Sequence, residues 1–171
     1  DIDASISGGT ATLSDYTITH TAGNSTLTVG LTLSGTPDGS EVLTVGPNGA
    51  AAVYDKAGNA MADAQEQTDN LKDQLAPTVA VTSSTGNDSY KQGEGINVTL
   101  TFSENVTSSN NLTVTLDTGG TCSVTALTAT NIGSCTYTIG AGHTSSDLTG
   151  SSIVVDSAGT IQDVALNDAN L

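Results

Sequence analysis

The chemistry this chain is best equipped for is the capture of hard cations. Its 18 Asp and Glu stand against 3 Lys and no Arg, a formal charge of -15. Calcium needs several carboxylate and carbonyl oxygens converging at one place, and a chain so rich in acids has ligands to spare. Position singles out a few of them. Asp69 and Asp73 fall in a stretch that reads as a linker, Glu104 follows the strand-like run from Ile96 to Phe102, and Asp156 opens the turn Asp156-Ser-Ala-Gly159. If the strands flanking that linker run antiparallel, these four carboxylates meet at one pole. Asp55, with Asp1 or Asp3, makes the equivalent set nearer the front of the chain. Neither an EF-hand loop nor a glycine-rich nonapeptide is present, so the competing reading is a group of solvated loop acids.

Other chemistries have fewer tools. His20 and His143 are the bases of the usual kind, each in a Thr-rich strand end or turn with no nucleophile motif beside it. Paired acids for glycoside hydrolysis need a walled cleft, which thin sandwiches seldom offer. Carbohydrate binding leans on aromatic platforms, and the chain has four Tyr and the single Phe102. Lys56 and Lys91 fall in turns, which argues against an isopeptide crosslink. Asn24, Asn87, Asn97, Asn105 and Asn111 open Asn-x-Ser/Thr sequons, which chance supplies freely in a chain of this composition. Cys122 and Cys135, 13 residues apart on what read as paired strands, are expected to form a disulfide, since no Cys-x-x-Cys or nearby His suggests a metal or redox site.

The charge also excludes partners. Nucleic acid and acidic membrane surfaces would be repelled. No run reaches the roughly 18 apolar residues of a membrane span. No signal peptide is visible, so a mature form or an excised segment is expected.

The elements that must position these residues are strands. Thr, Val, Ser, Gly and Asn dominate, and Trp is absent. Alternation of period two recurs at 11–14, 16–19, 27–29, 31–33, 42–45, 79–82, 96–102, 112–116 and 137–139. Turn signals such as Thr36-Pro-Asp-Gly39, Gly46-Pro-Asn-Gly49 and Asp117-Thr-Gly-Gly120 bound nearly all of these runs. That regular spacing predicts an all-β chain of sandwich type and argues against disorder. Only 60–67 reads as helix.

An internal repeat divides the chain. Val53-Tyr-Asp-Lys-Ala-Gly-Asn59, closing at Asp69-Asn-Leu71, matches Val154-Val-Asp-Ser-Ala-Gly-Thr160, closing at Ala169-Asn-Leu171. Asp156 lies 101 residues after Asp55, and Leu171 lies 100 after Leu71. One unit is therefore about a hundred residues, with a boundary at 71/72. By this offset the first unit lacks the counterpart of residues 72–101, about two strands.

Several stretches of the second unit resemble the bacterial immunoglobulin-like repeats of large secreted or surface-anchored adhesins. They are Ala76-Pro-Thr-Val79, Tyr90-Lys-Gln-Gly93, Val98-Thr-Leu-Thr-Phe-Ser-Glu-Asn-Val106, 112–120, 142–148 and Asp156-Ser-Ala-Gly159. In the first unit, 33–41 and Tyr54-Asp-Lys-Ala-Gly-Asn59 carry the same likeness. The cysteines depart from it. The resemblance implies two tandem immunoglobulin-like β-sandwiches, the first without its N-terminal strands, with no catalysis. It also implies an extracellular spacer rigidified by Ca2+ between neighbouring repeats, similar to the acidic linkers of cadherins. The alternative is a filament or surface-layer subunit whose open first unit accepts strands from identical neighbours, and a carbohydrate-binding module is a third reading.

Overall fold

The computed structural model describes residues 2–62 and 65–171. It is all-β and sandwich-like, with no α-helix among the described residues. The chain divides into two compact units, Asp1–Leu75 and Ala76–Leu171. The segment 72–75, expected to open the second unit, belongs with the first. There the Leu71 amide donates to the Glu41 carbonyl at 3.0 Å and the Gln74 amide to that of Pro37 at 2.9 Å.

In the first unit, β1 (Ile2–Ser7), β4 (Val42–Pro47) and β5 (Gln67–Asn70) form one antiparallel sheet in the order β1-β4-β5. A separate hairpin pairs β2 (Thr12–Thr19) with β3 (Thr28–Ser34). The expected runs 11–14 and 16–19 are thus one strand with an irregularity between Leu13 and Asp15, and 27–29 and 31–33 are another. The helix expected over 60–67 does not form in its described part: Ala60 bridges Tyr54, and Gln67 opens β5. Asp63 and Ala64 lie outside the described residues. Few side chains here are fully buried. They include Ala4, Ala11, Pro37 and, unusually, Glu41.

The second unit has a conventional core between two sheets. One contains β6 (Val79–Thr82), β7 (Gly95–Ser108), β10 (Thr130–Thr138) and β12 (Ile161–Gln162), with β7 central. The other runs β11 (Gly150–Val155), β8 (Leu112–Leu116), β9 (Thr121–Val124). Alternation decides what faces inward. Ile96, Val98, Leu100 and Phe102 of β7 meet Leu112, Val114 and Leu116 of β8, with Val124, Tyr137 and Val155 completing the core. Cys122 and Cys135 are disulfide-bonded with Cα atoms 5.8 Å apart. Their strands, β9 and β10, are not ladder partners as expected. They belong to different sheets, so the bond ties the two layers together.

Candidate metal centre

The inward phase of β7 does not stop at Phe102. Even-numbered residues continue to face the interior at Val106 and Ser108, which are buried, and Glu104, between Phe102 and Val106, is in phase with them and half-buried. A carboxylate oxygen of Glu104 lies within 4.8 Å of one on Asp163, which is only 4% exposed. Two carboxylates, one of them almost wholly withdrawn from water, therefore share one small space.

Asp163 is held there by a hairpin. Its Oδ1 accepts from the Asn167 amide at 2.9 Å and its Oδ2 from Asn167 Nδ2 at 2.8 Å. Gln162 and Asp168 bridge the neck of the loop, and the Ala169 amide donates to the Ile161 carbonyl at 2.9 Å. The same construction occurs at Asp55. Asn59 donates its amide to Asp55 Oδ1 at 2.9 Å and its Nδ2 to Oδ2 at 2.8 Å. Tyr54 and Ala60 form the bridge, and the Met61 amide donates to the Val53 carbonyl at 2.8 Å. The fourth residue of each loop has a positive φ, +84° at Gly58 and +72° at Leu166. By conformation, then, the partner of Asp55 is Asp163, 108 residues on, rather than Asp156.

The other anticipated ligands are placed as follows. Asp156 begins a 3-10 turn after β11 and its Oδ1 accepts from Thr113 Oγ1 at 2.8 Å, so it is engaged on the sheet of β8. Asp69 lies on exposed β5 opposite Leu43, and its Oδ1 accepts from the Asn70 amide at 2.9 Å. Asp73 rests beside Gly39, with its Oδ1 accepting from the Leu75 amide at 2.9 Å. Asp3 Oδ1 accepts from Tyr16 Oη at 3.0 Å, a bond that holds the phenol above its usual pKa. Asp55 is committed to its own loop, where Asn59 above all keeps its carboxyl below the ordinary 3.8. Asp1 lies outside the described residues.

Asp163 was missed because the repeat aligns on Ala-Gly, shared by Ala57-Gly58 and Ala158-Gly159. The legible signal is Asp-x-x-x-Asn with an aliphatic residue two positions before the Asp, Val53 and Ile161, and with Leu166 standing where the first copy has glycine.

The surroundings place this pair at the start of the second unit. The Thr78 amide donates to Ser103 Oγ at 3.0 Å and the Ser103 amide to the Thr78 carbonyl at 2.9 Å, one residue from Glu104. Both histidines are engaged in loop stitching. His143 Nδ1 lies 2.6 Å from Tyr137 Oη and 3.1 Å from the Gly140 amide, and His20 Nε2 lies 3.0 Å from the Asn24 carbonyl. No helix among the described residues is long and apolar enough to cross a membrane. No protein family, curated protein or solved structure matches the chain.

Proposed function

We propose that the chain is an extracellular structural connector whose second unit binds Ca2+ through Glu104 and Asp163. The observation that carries this reading is the approach of two carboxylates to within 4.8 Å with one of them 4% exposed. At such a separation and an effective dielectric of about 20, two unit charges repel by roughly 3 kcal/mol or more. Buried charges are normally paired or bound to metal. Oxygen-only ligands, in a chain of 18 acids, suit a hard cation better than zinc. A cation held there would fix the loop of Asp163 against β7 within the second unit.

The extracellular setting draws on the disulfide, which persists in oxidising compartments. A spacer needs no cleft, and the resemblance to adhesin repeats points the same way. Isothermal titration with CaCl2 tests the assignment. One site is expected in the intact chain, lost in both Glu104→Gln and Asp163→Asn. Unaltered binding in the two variants would remove these residues from the site.

A further inference from the structure

The first unit gathers in one groove the side chains that the composition makes scarce. The groove, of about 1580 Å³, is lined mainly by β2, the β2–β3 turn and the loop 53–61. Two of the chain's four Tyr face it, Tyr16 and Tyr54, with one of its two His, one of its three Lys and its single Met. Tyr54 is 59% exposed, although its backbone bridges Ala60 at the neck of the Asp-x-x-x-Asn loop. A ring held by its backbone and presented so openly, beside Val53 and Met61, is a platform and not part of a core.

Around the ring stand donors and acceptors together. Lys56 reaches toward the β2–β3 turn, its Nζ 3.3 Å from where a Cβ on Gly23 would stand. His20 Nε2, 3.0 Å from the Asn24 carbonyl, stitches that turn. Asp15 and Asn48 add a carboxylate and a carboxamide. Neither the Lys56 ammonium nor the Tyr54 hydroxyl forms a hydrogen bond or ion pair among the described residues, in a chain where 18 acids compete for 3 Lys. We propose that this groove binds a neutral oligosaccharide, with one pyranose ring laid on Tyr54 and its hydroxyls bonded by Lys56, Asp15 and Asn48. A sugar hydroxyl donates and accepts at once, which suits a wall holding ammonium, carboxylate and carboxamide groups side by side. The apolar C–H face of the ring matches the Tyr face, whose polar end stays wet. An acidic sugar is opposed by Asp15, Asp55 and the charge of -15, and a wholly apolar ligand would strip water from Lys56 and Asp15 without replacing it. The volume exceeds the roughly 300–1,000 Å³ of a drug-sized site, leaving room for several linked rings. The site lies within the first unit and is independent of Glu104 and Asp163.

The test titrates cellohexaose, maltohexaose, mannohexaose and N-acetylchitohexaose, one at a time, into the intact isotope-labelled chain and follows its amide resonances by NMR. Excess chelator is present throughout, so that the cation site plays no part. At least one sugar should shift the amides of Tyr54, Lys56 and Asn59 and those of the β2–β3 turn, while β7 and β8 keep theirs. Tyr54→Ala and Lys56→Met should each weaken that sugar about tenfold. Tyr90→Ala, which removes an exposed tyrosine of the second unit, should leave the affinity unchanged. Should Tyr54→Ala unfold the first unit, Lys56→Met decides, since that side chain has no hydrogen bond to lose. Resonances of the groove unmoved by all four sugars, shifts confined to other surfaces, or full affinity in Lys56→Met would overturn the proposal.

Discussion

Glu41 shows what a single buried carboxylate can hold together. Its Oε1 accepts from the amides of Thr10 at 2.9 Å and Ala11 at 2.8 Å, and its Oε2 from those of Asp38 at 3.1 Å and Gly39 at 3.2 Å. The side chain thus closes the turn 36–40 against the start of β2, and Gly9 must lack a Cβ, which would lie 2.2 Å from the carboxylate. Desolvation pushes the carboxyl pKa up, but the amides, led by Ala11, outweigh it and leave it below the ordinary 4.5. A depressed folded value means that this stabilisation is complete above pH 4.5 and is lost as pH falls through the lower folded value. Glu41→Gln should lower the melting temperature of the first unit at pH 7 and flatten its acid dependence, measured by calorimetry from pH 7 to 2. The sequence showed Glu41 only as part of a family-like stretch, because no local pattern announces that the amides of Thr10 and Ala11, thirty and more residues earlier, join those of the adjoining turn on its carboxylate. Glu104 was legible, since it follows a strong alternating run. Asp163 was not, because its loop is defined by an Asp–Asn spacing rather than by composition.

At the scale of elements, the two Asp-x-x-x-Asn hairpins are the clearest duplication. Both need a left-handed fourth residue, which glycine adopts without strain and leucine does not. Gly58→Leu should therefore destabilise the first unit by about 1 kcal/mol. Leu166→Gly should be nearly neutral, within about 0.5 kcal/mol, because the leucine is 72% exposed and its removal relieves strain while adding chain entropy. Denaturant melts of the two variants would show this asymmetry. The disulfide acts between layers. Replacing both cysteines with alanine should cost the second unit about 3 kcal/mol on the chain-entropy scale for its loop, read from a shifted urea midpoint. Strands of strong alternation, such as β4, β7 and β8, were visible in the sequence. The polar β5 (Gln67–Asn70) and the two-residue β12 were not, since their pairing comes from neighbours rather than from any periodicity of their own.

Across the whole molecule, burial is uneven. The second unit encloses Phe102, Tyr137 and a full set of aliphatic residues, whereas the buried apolar side chains of the first, among the described residues, are the small ones of Ala4, Ala11, Pro37 and Pro47. The all-β class was legible because Thr, Val and turn residues recur at sandwich spacing throughout. The separate pairing of β2 with β3 and the inter-sheet path of the disulfide were not, because alternation fixes which residues face inward but not which sheet a strand joins. Calcium is the most direct probe of the functional reading. A ligand that binds only the folded state at about 100 times its Kd stabilises it by about 2.7 kcal/mol. Differential scanning calorimetry of the intact chain and of Glu104→Gln, each with CaCl2 and with excess chelator, is the deciding measurement. The expected result is a calcium-dependent rise in the melting temperature of the second unit that chelator reverses and the variant lacks. Superimposable scans of the intact chain with metal and with chelator would contradict the cation site and the connector built on it.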